Sequence, residues 1–206
     1  GTTACMAIDP VAEAGAVARR HGMWHHVDAA MAGTAGVVAD LRPMLTDGLE
    51  TADTYCFDPH KWLGAGMDCD VLYVADRRRL VRAMSVVPEY LRNPASESGA
   101  VIDYRDWGVA LGRRFRALKL WWVLRAHGVD GLTSMVQRHC ALAADLARRV
   151  EGDPRLDLVV PCRLSLVCVA HRDGDDATQR LVDAVNATGA LVTHTKLDGR
   201  LVLRVS

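Results

Sequence analysis

The chain has 206 residues, half of them hydrophobic, enough for one domain or for a domain and part of another, and disorder is not expected. Its 25 basic and 25 acidic residues cancel, which argues against a nucleic-acid or acidic-membrane partner. No apolar run approaches the ~20 residues that a membrane helix needs, and neither a signal peptide nor an initiator Met opens the chain. The six cysteines form no C-x-x-C pair and no metal-ligand rhythm, so they read as small buried residues of a reduced, cytosolic protein. His21 and His25 have a spacing that could hold a metal on a helix, but Gly22 lies between them and no metal site is expected.

In chain order, residues 10–22 have helical character: Asp9 can cap, Pro10 suits the first position and Gly22 stops the run. Residues 23–27 read as a short buried strand that ends in Asp28-Ala29-Ala30. The small residues at 32–36 suit close approach by a ligand or another backbone. A short helix or turn is expected within 41–52, and strands at 53–57 and 70–74. Alternation of strands with helical stretches implies an α/β sheet, in which ligands bind at the carboxyl ends of strands. Asp28 and Lys61 both lie at such ends.

Residues 76–84 read as a helix with Arg77-Arg78-Arg79 as its solvated start, and 87–101 as a long loop of the kind that often covers a site. The spacing of Leu111, Phe115, Leu118 and Trp122 predicts an amphipathic helix over 111–127, ended by Gly128, with a second long helix over 129–150. Strands are predicted at 156–160, 164–169 and 201–205, with a helix over 175–187. The expected division is 1–150 and 151–206, the second part a smaller α+β unit.

The chemistry centres on Phe57-Asp58-Pro59-His60-Lys61-Trp62. A β-prone run delivers the lysine and a proline turns the chain, a setting that restrains a Schiff-base lysine and partly desolvates its amine. A carboxylate at a strand end, Asp28, stands 33 residues earlier in His26-Val27-Asp28-Ala29-Ala30.

The hexapeptide resembles the cofactor-lysine motif of the pyridoxal-phosphate-dependent group II amino-acid decarboxylases, the group that contains the aromatic-L-amino-acid and histidine decarboxylases. The H-V-D-A-A segment, Gly1-Thr2-Thr3, Pro88-Glu89-Tyr90-Leu91, Asp103-Tyr104-Arg105-Asp106-Trp107, the run from Leu111 to Lys119, and Leu201-Val202-Leu203-Arg204 are similar to family segments in the same order. The resemblance implies the fold-type I (aspartate aminotransferase-like) architecture, with the second half of the large domain and most of the small domain in this chain. It also implies a homodimer with shared sites, an amino-acid substrate and pyridoxal 5′-phosphate (PLP) as cofactor.

By the same resemblance Lys61 is the cofactor lysine, and Asp28 is the partner of the pyridine nitrogen, which acts as an electron sink only while protonated. Ala30 and Thr3 contact the cofactor, and His60 lies near phosphate and substrate. Tyr90, on a mobile loop near 87–101, protonates Cα after carbon dioxide leaves. Asp58 stands where animal aromatic enzymes have an Asn on the phosphate side, although other decarboxylases of the group also read D-P-H-K. Gly112 replaces a Ser of histidine- and tyrosine-specific members and leans toward indole or catechol side chains. Family chains are more than twice this length, so the chain is expected to be a fragment. Decarboxylation of an aromatic L-amino acid is the expected reaction. The alternatives are an aldehyde synthase, against which Tyr90 argues, a decarboxylase of another amino acid, and a truncated non-catalytic paralogue.

Overall fold

The computed structural model describes residues 1–86 and 94–206, so Tyr90 lies outside the described residues. The first helix, α1 (Val11–Arg20), starts without a side-chain cap: Asp9 instead pairs with the Gly1 amino group at 3.6 Å. The expected cap is therefore corrected, because that carboxylate is turned toward the chain start. Strand β1 (His26–Asp28) is shorter and more exposed than the buried strand expected, and Met23 and Trp24 before it are also exposed. Trp24 is held outside the strand by an indole N–H bond to Thr54 Oγ1 (3.0 Å) and by the Arg79 guanidinium over its ring.

A 3-10 stretch (Ala32–Val37) and α2 (Arg42–Thr46) lead to β2 (Thr54–Phe57), which pairs parallel with β1. Strand β3 (Val71–Val74) then pairs antiparallel with β2, making a mixed three-stranded sheet in the order β1-β2-β3. Register separates its two faces, because residues paired across strands point the same way. Tyr55, Phe57 and Tyr73 gather on one face, with ring centroids 6.2–6.4 Å apart. His26, Asp28, Thr54 and Cys56 gather on the other, where His26 Nδ1 lies 2.9 Å from Thr54 Oγ1.

Helix α3 (Arg77–Met84) is capped by Asp76, whose carboxylate accepts the Arg78 N–H, and a short α4 (Pro94–Glu97) precedes a 3-10 turn at Tyr104–Trp107. The long helix α5 (Arg116–Gly152) is broken at Gly128, which takes φ 63 and ψ 176. It starts at Arg116 rather than at 111, leaving Leu111 and Phe115 outside it and exposed. The start coincides with the clamp of Arg116 onto Asp68 (Nη2 to Oδ2, 2.6 Å). Before Gly128 the helix buries none of its residues, and Trp121 and Trp122 are exposed; after it Leu132, Val136, Ala143, Ala147 and Val150 form one buried stripe.

That stripe covers an antiparallel sheet of β4 (Leu156–Leu158), β5 (Val167–His171), β6 (Thr193–Leu197) and β7 (Arg200–Val205), in the order β4-β5-β7-β6, with α6 (Asp175–Ala187) beside it. Strand β6 was not among the expected elements. One apolar cluster joins the segments that flank the first sheet to the second sheet: Met6, Ala32, Ala35, Val38 and Trp62 pack with Val136, Leu166, Cys168 and Val202. Trp62, the residue after Lys61, is thereby fixed in the core, and its indole N–H donates to His139 Nδ1 (3.0 Å) on α5.

Candidate functional site

The site forms where β1 and β2 end side by side. Past the paired strands the ladder continues, with Ala29 N–H donating to the Cys56 carbonyl (3.0 Å) and Asp58 N–H to the Ala30 carbonyl (2.8 Å). These two bonds tie the Asp28 turn to the lysine turn, although 33 residues separate Asp28 from Lys61. Ala30 has a double part in this, because its own N–H donates to Asp28 Oδ1 (2.9 Å) and orients the carboxylate.

Cys56 Sγ stands 3.8 Å from the same Oδ1 and 3.8 Å from His26 Nε2. Burial, and then the Asp28 charge, push the Cys56 thiol up, so it stays protonated and donates to the carboxylate. Asp28 lines a cavity of about 450 Å³ together with Thr2, Thr3, His26 and Ala29. The Thr3 turn is held from the far sheet, since Arg204 donates to the Thr3 carbonyl (2.7 Å) and the Ala4 carbonyl (3.0 Å).

In the lysine turn, Lys61 N–H donates to the Asp58 carbonyl (3.0 Å) and Lys61 Nζ pairs with Asp58 Oδ2 at 2.8 Å. His60 Nδ1 lies 2.6 Å from the Cys69 carbonyl and 3.1 Å from the Cys69 N–H, so one backbone unit fixes the ring whichever tautomer it adopts. Its Nε2 is left facing Asp58 Oδ2 at 3.9 Å. Asp58 thus meets the side chains of both His60 and Lys61.

The structure brings Thr3, Asp28 and Ala30 together on one side and Asp58, His60 and Lys61 on the other. The Lys61 side chain opens on a separate cavity with Met31, Trp62 and His139. Gly112 belongs to a third, of about 1060 Å³, shared with Cys69, Tyr104 and Arg116. A Cβ at Gly112 meets nothing within 4 Å, so within this chain its lack of a side chain opens no space that Ala would close. The sequence reading passed over Cys69, His139 and Arg204 as supports. Cys69 and His139 left no local signal, whereas an Arg within an apolar strand such as 201–205 marks a side chain that needs a buried partner.

The residues fit a pyridoxal group in kind: a carboxylate with one hydrogen-bonded oxygen beside a ligand-sized cavity, and a lysine amine tethered to that carboxylate's turn. A protein-family model described as Pyridoxal-dependent decarboxylase conserved domain matches residues 1–172. Among curated relatives, the phenylacetaldehyde synthase of Arabidopsis thaliana is 43% identical over 99% of this chain and 43% of its own length. Tyrosine decarboxylase 2 of Narcissus pseudonarcissus is 42% identical over 99% of this chain and 42% of its length. Among solved structures, Oryza sativa TDC with PLP and tryptamine superposes with a TM-score of 0.93 at 43% identity, covering 99% of this chain and 44% of that one. Catharanthus roseus tryptophan decarboxylase in complex with L-tryptophan gives 0.90 at 39% identity, covering 100% and 44%. The chain spans less than half the length of these relatives. With the family match over most of the sequence and the lysine and acid turns joined at adjacent strand ends, the chain belongs to the pyridoxal-dependent decarboxylase family, with the fold-type I architecture that family has.

Proposed function

We propose that this chain supplies the cofactor lysine and its acid partner to a PLP-dependent decarboxylase that converts an aromatic L-amino acid to its amine. The observation that carries the reading is the pair of backbone hydrogen bonds joining the Asp28 and Lys61 turns, which fixes carboxylate and amine on one scaffold. Relatives named tryptophan and tyrosine decarboxylases support the reaction class and an aromatic substrate. Bound in the site, the pyridoxal ring supplies an electron sink for the pair released as the bond from Cα to the carboxylate breaks.

The protein's own residues then have distinct tasks. Lys61 would hold the cofactor through its side-chain amine. The Asp28 carboxylate, oriented by Ala30 N–H, holds a proton on the ring nitrogen. The Thr3 turn forms a wall of the cavity that Asp28 lines. His60, locked by Cys69, presents Nε2 toward the lysine turn. Tyr90 is assigned the proton delivered to Cα; its presence favours an amine over an aldehyde, the second reading that relatives named phenylacetaldehyde synthase keep in play. A homodimer with shared sites and a cytosolic location complete the proposal.

The test is turnover by the PLP-loaded protein that carries this chain, offered L-tryptophan, L-DOPA, L-tyrosine, L-histidine and L-glutamate, with products read by mass spectrometry. An amine from an aromatic substrate, lost in Lys61→Ala, is the expected result. An aldehyde supports the second reading, and amine formation that survives Lys61→Ala removes the lysine assignment.

A further inference from the structure

Asp58 stands where animal aromatic members have Asn, and the structure gives it a partner. Its Oδ2 lies 2.8 Å from Lys61 Nζ and 3.9 Å from His60 Nε2, and its side chain is only 13% exposed. Both ends of this contact are anchored. The Asp58 N–H is bound to the Ala30 carbonyl, and the Lys61 N–H to the Asp58 carbonyl. The neighbouring Trp62 is buried in the core formed against the second sheet. The pair is therefore built into a fixed turn. The Lys61 side chain is still 43% exposed, so a carbonyl compound can reach it.

We propose that Asp58 is a positioning residue for Lys61: its carboxylate pairs with the lysine side chain whenever the amine carries no bond to a carbonyl carbon, and so governs how readily the lysine is loaded. The proposal rests on Lys61 being the cofactor lysine. An ammonium has no lone pair to attack with. Loading requires that it lose one proton to solvent, that the neutral amine form the new C–N bond, and that the carbonyl oxygen leave as water. An amine set free later regains a proton and returns to the same carboxylate. An Asn at position 58 keeps a side chain of the same shape but removes the charge that holds the ammonium.

The test separates this pairing from the cofactor assignment by using a carbonyl reagent unrelated to pyridoxal. Cofactor-free protein is treated with formaldehyde and cyanoborohydride, and methylation at Lys61 is followed by peptide mass spectrometry relative to Lys196, which is exposed on β6. Because the pair is partly solvated, Asp58→Asn is expected to raise the Lys61 to Lys196 rate ratio roughly two- to fivefold. Asp58→Glu should bring the ratio back toward the parent value, a rescue that a purely structural role does not produce. In the unmutated protein the ratio should also climb as salt rises from about 0.1 M to about 1 M, which shortens the screening length from ~10 Å to ~3 Å.

An unchanged or lower ratio in Asp58→Asn overturns the proposal. If that variant does not fold, the salt series decides: a rise supports the pairing and a flat response overturns it. A parallel labelling uses PLP with borohydride. Label on Lys61 with the same dependence on Asp58 supports both readings. Formaldehyde labelling that depends on Asp58, with no PLP at Lys61, supports the pairing as a contact but overturns its role in loading, together with the cofactor assignment. PLP label that is indifferent to Asp58 overturns the proposal and leaves the cofactor assignment standing.

Discussion

Gly33 sits in the 3-10 stretch after β1, against the aromatic face of the first sheet. A Cβ built there meets Phe57 Cβ at 2.5 Å, Tyr55 Oη at 2.6 Å and Ala29 Cβ at 3.3 Å. Carbon atoms pack best at about 3.5–4.0 Å, so Gly33→Ala must push Phe57 by about 1 Å. Phe57 Cβ cannot swing aside as the end of a long side chain could, so the displacement falls on β2 itself. Overpacking of this kind costs about 1–3 kcal/mol, offset in part by the ~0.4–1 kcal/mol that replacing a glycine gains from the unfolded chain. The expected net loss is about 1–2 kcal/mol. Phe57 immediately precedes Asp58, so the shift also strains the Asp58 to Ala30 bond, and PLP affinity should fall with stability.

Gly36→Ala is the control. It lies in the same 3-10 stretch, but its Cβ meets nothing within 4 Å. Urea unfolding followed by tryptophan fluorescence, with PLP titrations of both variants, makes the comparison. If Gly33→Ala and Gly36→Ala agree within about 0.5 kcal/mol, the ordinary spread for surface changes, the reasoning fails.

Trp62→Phe keeps most of the buried ring but removes the N–H donor to His139, and should cost about 1 kcal/mol in the same unfolding assay. Arg204→Met removes the donors to the Thr3 and Ala4 carbonyls. A loss of about 1–2 kcal/mol is expected, with weakened PLP binding measured by fluorescence titration and only partial rescue by Arg204→Lys, which lacks the planar fork. The Arg116 guanidinium, followed by local backbone hydrogen bonding, holds the Asp68 carboxyl down at about 2 from the usual 3.8. A depressed carboxyl stabilises the fold fully above the unfolded value and stops doing so as pH falls through the folded one. The stability gap between the unmutated protein and Asp68→Asn, followed by circular dichroism, should therefore be constant above about 3.8 and shrink toward about 2.

Local chemistry was legible in the sequence wherever neighbours in the chain decide the outcome. Helix α6 has the predicted bounds because acidic residues open it and its apolar face is periodic. The break at Gly128 was legible because its backbone leaves the helical region. The missed strand β6 left a signal, since Asp198-Gly199 takes positive φ at both positions (49 and 83), the tight hairpin turn that Asp-Gly favours. The Lys61 and Asp28 turns were legible because strand ends, a proline and a carboxylate at fixed spacing are one-dimensional features.

Other features depended on residues far apart in the chain. Within the small residues at 32–36, Gly33 faces Phe57 and Tyr55, Ala32 and Ala35 enter the core, and Ala32 and Gly33 also line the cavity beside Asp28, so the close approach expected there is made in part by the protein's own side chains. The predicted start of α5 was too early because the clamp of Arg116 on Asp68, 48 residues away, marks where the helix begins. Residue order alone was enough to nominate the lysine and acid turns, through their motifs, and most of the segments that form strands and helices, because turn chemistry and local periodicity are read along the chain. Only the tertiary structure decided that Asp58 faces the Lys61 amine, that Cys69 fixes the His60 ring and that Arg204 holds the Thr3 turn. Each of those pairings depends on how a turn or a long-range contact places side chains in space, a relation that residue order does not encode locally.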